Sequence, residues 1–108
     1  KTTPERYGEL HRVPVDPDLL RRGIRVVLDS VVSYEIRTTC EPGLVEAPDF
    51  AAMGEACAGA RHWVLQQYIP RYALAESWRA LLPHPPERLA EFARIAEGYA
   101  ERVSLRGL

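Results

Sequence analysis

Ser33-Tyr34-Glu35-Ile36-Arg37-Thr38-Thr39-Cys40-Glu41-Pro42-Gly43 is the stretch from which the fold can be read. Residues 34–39 combine aromatic and β-branched side chains in the manner of a strand, and Glu41-Pro42-Gly43 ends it. Side chains alternate along a strand, so Tyr34, Ile36 and Thr38 fall on one face and Glu35, Arg37 and Thr39 on the other. Helical patterns on both sides place this strand in a parallel α/β sheet, where both faces are normally covered and the sequence is usually apolar throughout. The polar face is the anomaly. Two readings fit it: Arg37 faces an enclosed polar hollow that holds an anionic ligand, because a buried charge must be compensated, or an edge strand shows Glu35 and Arg37 to water.

Working outward toward the amino terminus, Asp16-Pro17 reads as a helix start, with Asp16 as N-cap and Pro17 in the first turn. Leu20, Ile24, Val27, Leu28 and Val31 then recur at helical spacing, with Arg21, Arg22, Arg25 and Asp29 opposite. Before it, Pro4 to His11 allows one or two helical turns. Toward the carboxyl terminus, Pro48 starts a helix whose apolar stripe is Phe50, Met53, Ala56 and Cys57, with Gly59 placed to end it. His62 to Tyr68 reads as a second strand, closed by Pro70, with Gln66 and Gln67 at its carboxyl end. Parallel sheets bind ligands outside the carboxyl ends of their strands, which makes the two glutamines candidates; as a bland alternative they merely finish a strand in water. Residues 71–86 form a proline-rich connection with a helical piece at Ser77–Leu82. Pro86 opens a further helix with Leu89, Phe92, Ala93, Ala96 and Tyr99 inward, and residues 102–107 form a third short strand.

Three successive αβ units imply three parallel strands side by side with their helices on one face. Such a sheet leaves its other face bare. The chain therefore reads as a segment of a larger (β/α) barrel, or as a protein that associates to cover itself.

The bulk numbers are permissive. The chain of 108 residues has 46% hydrophobic and 27% charged residues, sufficient for one domain. A formal net charge of −1 gives no bulk reason to expect nucleic acid, and binding of nucleic acid through Arg21, Arg22 and Arg25 is the weakest option. With no long apolar run and no signal peptide, the expectation is a soluble, cytoplasmic protein. Cys40 and Cys57, the two cysteines, stand outside any metal-ligand spacing and read as reduced packing residues. His11, His62 and His84 have no acid or nucleophile in a recognisable arrangement beside them.

Residues 34–39, Pro42-Gly43-Leu44, Val64-Leu65-Gln66-Gln67-Tyr68 and the ending Tyr99–Gly107 together resemble the carboxyl-terminal half of radical S-adenosylmethionine activating enzymes. The nearest group is the activating protein of anaerobic ribonucleoside-triphosphate reductase, with the pyruvate formate-lyase activase type further off. In that group a strand ending in Asp-Ile-Lys precedes a segment like Pro4-Glu5-Arg6-Tyr7, and Lys1 matches its lysine. The resemblance implies a partial (β/α) TIM-like barrel in which a [4Fe–4S] cluster reduces S-adenosylmethionine to a 5′-deoxyadenosyl radical, which takes a hydrogen atom from a glycine of a partner enzyme. It also implies that Lys1, Arg37 and the backbone near Thr39 line the S-adenosylmethionine site, with Gln66 and Gln67 as second contacts. Some relatives carry a histidine where this chain has Ile69.

The family's Cys-x3-Cys-x2-Cys cluster loop and its glycine-rich strand end are not in this sequence. The expectation is thus one wall of a site, inactive by itself, completed by the amino-terminal half of the same barrel and directed at a glycyl radical enzyme. The rival reading is a non-catalytic interaction module that binds a partner through its open sheet face.

Overall fold

A computed structural model describes residues 1–108. It is an α/β protein with one three-stranded sheet in the order β1-β2-β3, formed by β1 (Ile36–Cys40), β2 (Trp63–Gln67) and β3 (Val103–Arg106). All pairings are parallel, with Ile36 opposite Trp63 and Trp63 opposite Val103. The helices are α1 (Tyr7–His11), α2 (Pro17–Leu28), α3 (Asp49–Ala56), α4 (Glu76–Arg79) and α5 (Pro86–Ala96). No helix is long and apolar enough to cross a membrane.

The helix starts follow their sequence chemistry. The Asp16 side chain accepts from Asp18 N at 2.9 Å, with Pro17 at the first helical position. That bond satisfies an amide that would otherwise have no partner. The expected inward stripe of α2 is only partly realised, since Ile24 and Leu28 pack against the core while Val27 and Val31 are exposed. The helix stops at Leu28, so Val31 lies beyond its last turn. Helices α3 and α5 supply Phe50, Met53, Leu89, Phe92 and Ala96 to a core that also takes Cys40, Trp63 and Leu65 from the sheet. Trp63 is buried with its indole N–H satisfied, donating to Thr38 Oγ1 at 3.0 Å across the β1/β2 pair.

Strand β1 is two residues shorter at its start than expected: Tyr34 and Glu35 precede it, and Cys40 extends it. The turn that ends it is built from Glu41-Pro42-Gly43-Leu44, with Leu44 N donating to Glu41 O at 3.2 Å. Proline at the second position and Gly43 at φ +91° are the requirements of a type II turn, in which a side chain at the third position would be strained.

Candidate functional site

Register decides which side chains share the sheet face opposite the core. Thr38, Leu65 and Leu105 lie level on the helix-covered side; Arg37, Val64 and Ser104 lie level on the other, as do Thr39, Gln66 and Arg106. Arg37 is exposed, its side chain 64% accessible, and its Nε lies 3.5 Å from Glu35 Oε1. The expectation of an enclosed hollow around Arg37 is therefore corrected for these 108 residues. Because β1 is an edge strand, one face of Arg37 is open, and a neighbouring carboxylate compensates its charge.

Glu35 is the hub of that face. Its carboxylate accepts from Arg106 Nη1 at 2.7 Å and Nη2 at 2.8 Å, a bidentate pair. Glu35 precedes the residue paired with Trp63, and Arg106 pairs with Gln66, so the clamp runs diagonally over the central strand. Val64 lies under it, fully buried although it belongs to no part of the helix-side core. His62 adds to the network: Arg102 Nη2 lies 3.0 Å from its Nδ1, and Ser104 Oγ lies 2.8 Å from its Nε2. A guanidinium can only donate, so Nδ1 accepts and Nε2–H donates to Ser104.

The Arg106 hydrogen bonds hold the Glu35 carboxyl below the usual carboxylate range; desolvation opposes them, and the charges of Arg106 and Arg37 add to the lowering. A folded-state pKa below the unfolded one gives stability that is present above the unfolded pKa and lost as pH falls through the folded one. Glu35→Gln is expected to lower the melting temperature near neutrality and to flatten its decline between about pH 6 and pH 3. Parallel melting curves for the two proteins across that range would show that the clamp does not stabilise the fold.

At the carboxyl ends of β1 and β2 lies an open cleft of about 530 Å³. Four of the five residues singled out from sequence line it, namely Lys1, Thr39, Gln66 and Gln67. Arg37 does not; it borders a smaller hollow of about 230 Å³ beside the free edge of β1, which Lys1 also reaches. The first residues are held against that edge, with Thr2 Oγ1 donating to Leu44 O at 2.6 Å and Arg6 Nη2 to Gly43 O at 2.8 Å. Gln67 lines the cleft but is engaged within the chain: Nε2 donates to His84 O at 2.9 Å and Oε1 accepts from Tyr68 N at 3.0 Å. It ties the strand end to the proline-rich connection. His11, Tyr68, Tyr72 and Trp78 also belong to the wall, and the Tyr68 hydroxyl donates to Trp78 O.

Glu41, read from sequence only as a turn residue, also lines this cleft and is buried. Being the first residue past a parallel strand was the available signal. Burial pushes its carboxyl up.

No group of three or more His, Cys, Asp or Glu side chains is arranged to hold a metal. Cys40 and Cys57 are buried free thiols, and desolvation pushes them up to about 12 and about 11. Two cysteines with no third ligand grouped beside them do not make up the ligand set of a cluster.

Comparison of the chain with family models, with curated proteins and with solved structures finds no match.

Proposed function

We propose that this chain is the carboxyl-terminal part of a radical S-adenosylmethionine activase of a glycyl radical enzyme, of the anaerobic ribonucleotide reductase type, and that it forms one wall of the S-adenosylmethionine pocket. The cleft at the strand ends carries the reading. Its volume of about 530 Å³ lies in the range of small-molecule sites. It also sits where parallel sheets present ligand contacts. Its mixed wall suits the cosubstrate: aromatic and aliphatic surface from Tyr72, Trp78 and Ile69, and polar groups from Lys1, Thr39 and Gln66.

In this assignment the uncovered polar face, with Arg37, Thr39, Gln66 and Arg106, becomes the lining of a partial (β/α) barrel whose remaining strands and [4Fe–4S] ligands belong to its amino-terminal half. Arg37 shares its face with Thr39 and lies about 7 Å from it along the strand, a distance an arginine side chain spans. Its role is to meet the polar groups of the cosubstrate with charge and directed hydrogen bonds. Bound in the cleft, S-adenosylmethionine supplies the radical chemistry when reduced by the cluster; this chain orients it and excludes water.

Arg37→Ala in the intact protein is expected to weaken S-adenosylmethionine binding about tenfold or more with iron content unchanged. Equilibrium dialysis and iron analysis measure the two. Unaltered binding, or loss of iron with it, would reassign Arg37 to structure and remove it from the pocket.

The uncovered face also favours a second reading, a non-catalytic module that binds a partner there. Under it the protein binds no S-adenosylmethionine, and burial of Arg37 and Gln66 in a complex is detected by hydrogen exchange.

A further inference from the structure

Glu41 is 9% exposed and differs from the other covered acids of the chain. Glu35 has Arg106, Glu46 accepts from Gly43 N, Asp49 accepts from Glu46 N, and Glu91 has Arg88. No hydrogen bond or ion pair engages the Glu41 carboxylate. Its main chain is fixed, since Glu41 O accepts from Leu44 N at 3.2 Å and Val45 N at 3.0 Å, and Glu41 N donates to Thr39 O at 2.9 Å. The side chain is thus held at the cleft by a rigid turn, with its charge uncompensated. The carboxylate oxygens reach solvent only through the cleft, so the charge is kept but partly desolvated, and a cation entering the cleft would meet it directly.

The surroundings narrow the ligand. Lys1 and His11 line the cleft without pairing with Glu41, and Tyr68 and Tyr72 are the other titratable groups of its wall. Desolvation, with a contribution from the Glu41 charge, pushes the Tyr68 phenol up, which places that charge close to the aromatic side of the cleft. Trp78 adds to the wall an aromatic ring of the kind that attracts cations, and the Tyr72 ring already carries one, the Arg71 guanidinium at 4.9 Å from its centroid. The complementary ligand has a heteroaromatic body and a positive centre near it.

We propose that Glu41 is the counter-charge for the cationic centre of the cleft's ligand, which, resting on the function proposed above, is the sulfonium of S-adenosylmethionine. The sulfonium is positive at every pH, unlike an amine, so its pairing with Glu41 selects the cosubstrate over neutral thioether analogues of the same shape.

The test is calorimetric titration of the intact protein, wild type and Glu41→Gln, with S-adenosylmethionine and with S-adenosylhomocysteine. Wild type is expected to prefer the sulfonium. Glu41→Gln is expected to lower affinity for S-adenosylmethionine about tenfold while leaving S-adenosylhomocysteine nearly unchanged. Glu41→Asp keeps the charge and is expected to keep the preference. Equal losses for the two ligands, or no loss for either, would overturn the counter-charge role while leaving the activase reading in place. Failure of wild type to bind S-adenosylmethionine at all would overturn both. A melting temperature for Glu41→Gln at or above that of wild type confirms that any loss is not a folding defect.

Discussion

Phe92→Ala is expected to destabilise the fold by about 3–5 kcal/mol, a large part of the 5–15 kcal/mol, roughly, that holds a domain together. Phe92 is fully buried, and its ring meets Phe50 at 4.9 Å between centroids. On another side it meets the edge of His84, at 5.2 Å and 90°. Truncation opens a cavity between α3, α5 and the sheet, where Trp63 and Leu65 cannot move without disturbing the β1/β2 ladder. The loss extends to the cleft. His84 Nε2 lies 3.1 Å from Val45 O and 3.2 Å from Glu46 Oε2, and His84 O accepts from Gln67, so a ring that loses Phe92 loosens the ties of both strand ends. Urea denaturation of the variant measures the cost. Leu82→Ala is the control: Leu82 is 84% exposed, and its truncation is expected to stay within about 0.5 kcal/mol. Similar midpoints for the two variants would place Phe92 outside the cooperative core.

These core contacts were legible in the sequence because they depend on short periods. Pro86 with Leu89, Phe92 and Ala96 announces α5, and Asp16-Pro17 announces α2, from neighbours within a few residues. Val31 misled for the same reason: the helical spacing runs on past the point where Asp29 N closes the last turn on Arg25 O, whereas Val27 lies within α2 and is exposed because only Ile24 and Leu28 of the stripe reach the core. The strand alternation placed Ile36 and Thr38 on the covered side and Arg37 on the other, but not what Arg37 meets. That depends on whether another strand pairs with β1, which lies outside local pattern. The Glu35–Arg106 clamp joins residues 71 apart in sequence and exists only through the registers of two ladders. Glu41 went unread because Glu-Pro-Gly is complete as a turn signal: its backbone role explains its position, and nothing in the local sequence marks its side chain as buried at a strand end. Gln67 shows the converse. A polar residue at a strand's carboxyl end is a ligand candidate from sequence, yet both ends of its amide are used within the chain.

Gly54→Ala is expected to be destabilising even though alanine is the better helix former. Gly54 lies within α3 and is buried against Tyr99, which follows α5. A Cβ at Gly54 would sit 2.4 Å from Tyr99 Cγ and Cδ2 and 2.7 Å from Cδ1. Those are ring atoms near the root of the side chain, not a mobile tip. The backbone of Tyr99 is held on both sides, its N donating to Ala96 O at 2.9 Å and its O accepting from Gly59 N at 2.8 Å. The ring therefore cannot retreat without moving the end of α5 or the connection that leads into β2. Overpacking of this kind costs about 1–3 kcal/mol, while the gain in helix propensity on replacing glycine is about 1 kcal/mol. The first effect wins, and the net loss is read as a lower melting temperature. Coupling decides the cause: in Gly54→Ala with Tyr99→Ala the clash is gone, so the double variant is expected to be more stable than the sum of the two single losses. Additive losses, or a Gly54→Ala protein that melts above wild type, would mean that the Tyr99 ring swings aside and that close approach at Gly54 does not fix how α3 meets the end of α5.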